Sequence, residues 1–263
     1  MNTNKGILSE IGQKTKQRIR QLKAAEPQDL LLSSRLPTIN PKDFTARFKT
    51  GSRPRIIAEV KLASPSQGKI SDIAPIDAAQ QYLNNGATAL SVLTEPQYFN
   101  GDIRYLREIR QKFPDAYLLM KDFFVDEYQL DQALWAGADA ILIIMALSGV
   151  EGAKHLLKAA EARNLTPLVE VHNAEELEAA LSIDASLIGI NNRNLKDMTI
   201  SLQTSLDLIN GIPKDKVCIS ESGIETASDL KRLSSAGFSG FLIGTSLMRS
   251  GTPGYGLKKL LER

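Results

Sequence analysis

Lysine and glutamate recur at the ends of apolar, β-branched stretches of this chain. Glu59 and Lys61 close Ile56-Ile57-Ala58-Glu59-Val60-Lys61, and Lys121 closes Leu118-Leu119-Met120-Lys121. Glu170 follows Leu168-Val169, and Glu221 follows Ile219-Ser220. Such side chains are the proton donors and acceptors of general acid–base chemistry. Taking an ion out of water costs several kcal/mol before pairing, so one charged strand end reads equally well as a structural ion pair. Four of them in one fold point to a site. Whether they meet depends on the elements that carry them.

From Ile56 onward, strand and helix patterns alternate. The sequence predicts strands at 56–61, 88–93, 117–121, 139–144, 166–171, 186–191, 216–221 and 240–244. It predicts helices at 75–85, 102–112, 126–136, 150–163, 174–182, 203–210, 225–236 and 254–262. Runs such as Ala140-Ile141-Leu142-Ile143-Ile144 suit parallel strands covered on both faces. A weak repeat runs through Gly86-Ala87-Thr88, Gly137-Ala138-Asp139 and Gly237-Phe238-Ser239, each ending a helix on glycine and entering a strand. Ile183-Asp184-Ala185 falls where a fourth copy would, without its glycine. Four two-unit repeats make an α/β fold, a (β/α)8 TIM barrel. An open doubly wound sheet is disfavoured, because no G-x-G-x-x-G turn follows the first strand.

Active sites of such barrels lie at the strand C-termini, and alternate strands feed one interior layer. Strands one, three, five and seven would then bring Lys61, Lys121, Glu170 and Glu221 into one ring. Glu59 shares the face of Lys61, because strand side chains alternate. Asn191 and Arg193 end the sixth strand. Ser222-Gly223 follows the seventh strand, and Gly244-Thr245 follows the eighth, the usual phosphate loops of this fold. Glycine there would let phosphate approach the backbone, and Ser64 could add a hydroxyl. Asp122 reads as structural by parity. His172 sits just past the fifth strand, and His155, Trp135, Phe113 and Cys218 read as surface or packing. No His/Cys/Asp group has metal-ligand spacing.

Residues 1–50 form a helical extension and 51–263 the barrel. Ile7, Leu8, Ile11, Ile19 and Leu22 make a thin apolar stripe on a helix at 7–25, with a basic face of Lys14, Lys16, Arg18, Arg20 and Lys23. A loop through Pro37 and Pro41 leads to Asp43, a cap for a short helix with Phe44 and Phe48. With so thin a stripe, the extension should cover the barrel mouth without holding the barrel together. The chain has 263 residues and a formal charge of +2, which gives no electrostatic case for nucleic acid. It has a single cysteine, no apolar run long enough for a membrane span and no signal-peptide core in its opening residues. The expectation is a cytoplasmic monomer that acts on a small molecule.

At these residues the sequence resembles the indole-3-glycerol-phosphate synthase family of tryptophan biosynthesis. The matching motifs are Glu59-Val60-Lys61 with Ser64-Pro65-Ser66, Ser91-Val92-Leu93-Thr94 with Phe99-Asn100-Gly101, and Lys121-Asp122-Phe123. Further matches are Leu168-Val169-Glu170-Val171-His172, Gly189-Ile190-Asn191-Asn192-Arg193-Asn194 and Ser220-Glu221-Ser222-Gly223. Met120 departs from the pattern, where many members carry arginine.

The resemblance implies ring closure, decarboxylation and dehydration of 1-(2-carboxyphenylamino)-1-deoxyribulose 5-phosphate, with no cofactor and no metal. It makes Lys121 the acid for ring closure and Glu170 the base in dehydration, with Glu59 and Lys61 sharing the work. It gives Asn191 and Glu221 an orienting role and Arg193 or Lys61 the substrate carboxylate. It places phosphate on Ser64, Ser222, Gly223, Gly244 and Thr245, and puts Phe123 among the substrate contacts. A phosphoribosyl isomerase-like barrel would not need Lys121-Asp122-Phe123 or Asn191-Asn192-Arg193. A non-catalytic phospho-ligand sensor would not need Glu59, Lys61, Lys121 and Glu170 together.

Overall fold

Eight short apolar runs close into a parallel barrel in the computed structural model, which describes residues 6–34, 36, 41–49, 54–195, 197–249 and 251–262. The strands are Ile56–Val60, Ala89–Leu93, Leu118–Lys121, Ala140–Ile144, Thr166–Val171, Leu187–Asn191, Val217–Glu221 and Gly240–Ile243. The first pairs with both the second and the eighth, which closes the ring. Each predicted strand lies within a residue or two of its observed position. Helices follow the strands in alternation, the longer ones being Pro75–Asn84, Ile103–Lys112, Tyr128–Ala136, Met145–Glu161, Ala174–Ser182, Ala227–Ala236 and Pro253–Leu261.

Parity divides the core. Ile57, Leu119, Leu142, Leu168, Ile219 and Leu242 fill the barrel interior. Their neighbours, such as Ala58, Met120, Ile143, Val169 and Cys218, face the helices. Both faces are apolar because both are covered, which is why the strands read as continuous hydrophobic runs. The repeat glycines have a steric cause. Gly86, Gly137 and Gly237 all hold left-handed φ (93°, 84° and 111°), a conformation that costs glycine little. The fourth copy reaches the same turn with Asp184, at φ 61°.

Two features differ from the sequence reading. The helix after the fourth strand starts at Met145, five residues early, and breaks at Gly149, whose φ is 61°. A two-residue antiparallel ladder, Ala63–Ser64 against Gly68–Lys69, follows the first strand. Its turn has no long apolar run and so left no strand signal.

The N-terminal residues embrace both ends of the barrel. The helix Ile7–Ala25 lies at the mouth, where Arg18 makes a two-pronged ion pair with buried Asp122 (2.9 and 3.0 Å). Tyr128 donates to the Glu26 carbonyl (2.8 Å), and Tyr98 donates to Glu10 (2.8 Å). Residues 41–49 cross the opposite end. Asp43 accepts from the Ala46 N–H, capping a 3-10 turn at Ala46–Phe48. Phe44 and Phe48 insert among the interior residues at the strand starts. A Cβ on Gly240 would come within 2.7 Å of the Phe48 ring, so the last strand admits the plug by having no side chain there. Pro37, and the boundary drawn between residues 50 and 51, lie outside the described residues.

Beside the plug, Arg110 and Asp139 form a fully buried ion pair (2.6 Å). Arg110 also donates to the carbonyls of Pro114, Ala116 and Gly137. Asp139 accepts from the N–H groups of Leu118 and Lys42. With every charged-group N and O atom so engaged, desolvation is offset, and removing either partner would leave a bare buried charge. Among the described residues, no helix is long and apolar enough to cross a membrane.

Phe44 has no exposed surface, so the segment before the barrel carries part of its core, contrary to the expectation of a mere cover. Phe44→Ala should lower unfolding free energy by about 3–5 kcal/mol, the usual cost of deleting a buried phenyl ring. Urea denaturation checks this. A loss under about 1 kcal/mol, well below that range, would return the segment to a peripheral role.

Candidate active site

At the C-terminal ends of the strands the barrel opens into a pocket, and the acid–base groups form its floor. Lys121 ends the third strand. Its ammonium lies 3.2 Å from Glu170 Oε2 and 3.0 Å from Glu221 Oε2. Glu59 carries the fourth charge acting on this centre. Lys61 lies one residue past its strand and pairs with Glu59 (2.6 Å). The carboxylates of the ring therefore come from strands one, five and seven. The first strand ends at Val60, and Lys61 just beyond it lines the same pocket.

Burial alone would push the Lys121 ammonium down, but Glu221, Glu170 and Glu59 outweigh it and hold the proton more tightly than on a free lysine. The two flanking carboxyls part company. Burial raises Glu221 to about 7, aided by Glu170 and Glu59 and opposed by Lys121. Glu170 is buried as well, yet Lys121 and then His172 hold it below the usual carboxylate range. His172 Nε2 lies 3.2 Å from Glu170 Oε1, at ion-pair distance but off the line of a good hydrogen bond. One lysine thus separates a proton-holding carboxyl from an ionised one, the arrangement by which two acids take different roles.

Glycines make room for these carboxylates. A Cβ on Gly189 would overlap Glu221 Oε1, and one on Gly244 would overlap Glu59 Oε2. Gly244 therefore makes room for Glu59, a role that the sequence did not suggest. A bulky residue there would disturb the charged ring first.

The walls have two characters. Phe99 and Phe123 stack at a tilt, with ring centroids 6.0 Å apart, and Leu8 and Ile11 of the N-terminal helix join them. Leu142 and Ile144 continue this apolar side. Facing it are Ser64, Asn191, Arg193 and the loops holding Ser222, Gly223, Gly244 and Thr245. Ser222 and Gly223 both have left-handed φ, 67° and 79°. Asn191 accepts from the Arg193 N–H (3.0 Å), and burial pushes the Arg193 guanidinium pKa down. Neighbouring Asn192 is a brace: it donates to Ser220 Oγ and the Ser222 carbonyl and accepts from the Ser205 N–H.

Every residue singled out from the sequence as a site candidate lines this one pocket. Phe99, Leu93, Ile144, Met198, Ile200 and Arg249 line it too. Parity of the even strands could have found Leu93 and Ile144. Nothing local marks Met198, Ile200 or Arg249. Asp122, placed by parity outside the ring, anchors Arg18 and accepts from Thr94 Oγ1 (2.8 Å). His155 lies on the surface against Glu127. Among the described residues, no group of three His, Cys, Asp or Glu could hold a metal ion.

A closed parallel barrel with acid–base groups at the strand C-termini defines an enzyme of the (β/α)8 class. Solved structures agree on the fold: 3-hexulose-6-phosphate synthase from Salmonella typhimurium superposes with TM-score 0.64 at 11% identity, covering 78% of this chain and 96% of that one. KGPDC from Streptococcus mutans gives 0.60 at 16%, covering 79% and 95%. Within that class the sequence is specific. The chain belongs to the indole-3-glycerol phosphate synthase family, whose model matches residues 8–260. It is 42% identical to the indole-3-glycerol phosphate synthase of Campylobacter jejuni serotype O:23/36 over 97% of this chain and 100% of that one. It is 40% identical to that of Albidiferax ferrireducens, over 97% of each.

The split between the two carboxyls has a pH signature. Glu221 keeps its proton from its ordinary 4.5 up to about 7 when folded. Over that window the native state binds the extra proton, so this group's contribution to stability falls as pH rises. Glu221→Gln, which mimics the protonated form, should lack that decline. Urea unfolding of both proteins at intervals from pH 4.5 to 8 should show the parent losing stability relative to the variant. Parallel curves would mean that Glu221 is ionised throughout.

Proposed function

We propose that this chain converts 1-(2-carboxyphenylamino)-1-deoxyribulose 5-phosphate into indole-3-glycerol phosphate, carbon dioxide and water. The observation that carries the reading is the Lys121 ammonium, held between Glu170 and Glu221 on the floor of a pocket with one apolar and one polar wall. Membership of the family, at about 40% identity over nearly the whole chain, supports it.

The chemistry follows from the placement. The aryl carbon bearing the carboxylate attacks the ribulose carbonyl, and negative charge grows on the carbonyl oxygen. Lys121 delivers its proton there. The acidic groups around it keep it protonated at neutral pH, so the proton is in place when the alkoxide forms. The new ring carries positive charge on the aniline nitrogen, which receives the electron pair as carbon dioxide leaves. Dehydration then needs a proton on the departing hydroxyl and a base for the N–H. Glu170, kept ionised, is the base, and the remaining acid work falls to Lys61 with Glu59, whose ammonium and carboxylate are paired.

Asn191 and Glu221 orient the substrate hydroxyls and Lys121. Arg193 or Lys61 holds the substrate carboxylate. The phosphate rests on Ser64, Ser222, Gly223, Gly244 and Thr245, and the aromatic ring lies against Phe123 and Phe99. These steps need no cofactor. The working unit in this reading is a monomer. We also assign the protein to the cytoplasm, where a lone buried thiol stays reduced. The extension is one part with the barrel, since Phe44 and Phe48 contribute to its core and Ile7, Leu8 and Ile11 to its pocket.

Indole fluorescence gives the assay. With the proposed substrate, the parent should produce indole product, and a protein that produces none would end the reading. Lys121→Met keeps the length and removes the proton. Single-turnover indole formation at saturating substrate should fall by about 10²–10⁴, the range for a lost general acid. The loss should appear in kcat more than in KM, because phosphate and carboxylate contacts remain. A rate within about threefold of the parent, far short of that range, would pass the acid role to Lys61.

A further inference from the structure

His172 is buried, and its ring joins two elements. On one side, Nε2 lies 3.2 Å from Glu170 Oε1. On the other, Nδ1 lies 3.0 Å from Glu176 Oε2, and the same oxygen accepts from the His172 backbone N–H (2.9 Å). Glu176 is itself fixed at the start of the helix Ala174–Ser182. Asn173 Nδ2 donates to Glu176 Oε1 (2.8 Å), and the Glu176 N–H donates to Asn173 Oδ1 (2.9 Å). The result is a braced line: helix cap, Glu176, His172, Glu170, Lys121. Glu170 faces His172 with one oxygen and Lys121 with the other, so a charged or chargeable partner lies against each.

The line is one-sided. Glu221 faces the same ammonium but has no imidazole behind it, and its Oε1 has no partner. Among the described residues, the charges acting on the His172 ring are Glu170 from its own strand and Glu176 from the following helix. The ring sits between these two anions, with the Lys121 ammonium on the far oxygen of Glu170.

We infer that His172 is a positioning residue, whose imidazolium selects Glu170 over Glu221 as the ionised carboxylate beside Lys121 and aims it at the substrate. His172 does not line the pocket, so it acts through Glu170 and touches no substrate. The inference rests on the proposed role of Glu170 as base. Burial opposes the charged ring, but Glu170 and Glu176 prevail and raise its pKa to about 10. It would therefore stay charged throughout the neutral range, as a fixed cation and not a switch.

The test uses His172→Gln, which keeps a hydrogen-bond donor and removes the charge. Glu170 should then ionise at higher pH, so the acidic limb of kcat should move up by about one pH unit or more, as for loss of an adjacent opposite charge. At neutral pH kcat should fall about 10- to 100-fold, less than the loss of a base outright. KM should stay within about threefold, since uniform binding contacts are untouched. Glu176→Gln preserves the fold of the cap and should shift the limb in the same direction by less, which covers the case in which His172→Gln does not fold. The chain has two histidines. His155→Gln leaves a single imidazole, whose nitrogen shifts should report the cation at pH 8. An unmoved limb with unchanged kcat, a uniform loss at every pH, or a neutral ring at pH 8 would each overturn the inference. Glu170→Gln separates the two levels: full activity in that variant would remove the base reading itself, and inactivity leaves the His172 result to be judged alone.

Discussion

A buried lysine ammonium needs anions around it, and the barrel is arranged to supply them. Lys121 would be driven to neutrality by desolvation alone. It stays charged because strands five and seven place Glu170 and Glu221 at hydrogen-bond distance, with Glu59 close behind. Those carboxylates in turn need space, which Gly189 and Gly244 provide by lacking side chains. They also need cations of their own, and Lys61 and His172 serve Glu59 and Glu170 respectively. Below this layer the interior turns wholly apolar, so the charge is confined to one end of the barrel. The polar ring and the hydrocarbon below it are successive layers of the same eight strands.

Much of this was legible in the sequence, and the reasons are specific. Continuous apolar runs signal strands covered on both sides, and period-two alternation fixes which residues face inward. Parity alone therefore picked out Lys121, Glu170 and Glu221 as neighbours. It put Lys61 on the face of Glu59, and the two are paired, although alternation says nothing about where the strand stops. It also missed a second reason for Gly244: a glycine at a strand end looks the same whether it admits a ligand, a neighbouring carboxylate or both, and the position of Glu59 reveals the carboxylate. Met198, Ile200 and Arg249 were invisible because they reach the pocket from loops, where no period applies. Phe44 and Phe48 read as one face of a short helix, with nothing nearby to say that the face enters the barrel floor.

The buried ion pairs divide by purpose. Arg110 and Asp139 have every donor and acceptor satisfied by protein and lie fully inside. That pair has no free valence for chemistry and joins the segment at residue 42 to the third and fourth strands. The Lys121 centre is left incomplete, with Glu221 Oε1 unpartnered and the pocket open above it. Structural and reactive charge clusters can be told apart here by whether their hydrogen bonding is finished.

The phenyl plug has a consequence for the order in which the molecule is made. Phe44 and Phe48 leave the ribosome before any strand of the barrel, yet their seats are built from those strands, and Phe48 rests against Gly240 on the eighth. These rings have no complete apolar seat until the eighth strand is made. A nascent chain must therefore carry two exposed aromatic side chains while the barrel is synthesised, a period in which they are free to stick elsewhere. Closure of the barrel and burial of the plug become a single event. A segment made ahead of the barrel is thus ordered only with its eighth strand, and a ribosome that stalls before that strand leaves both rings in water.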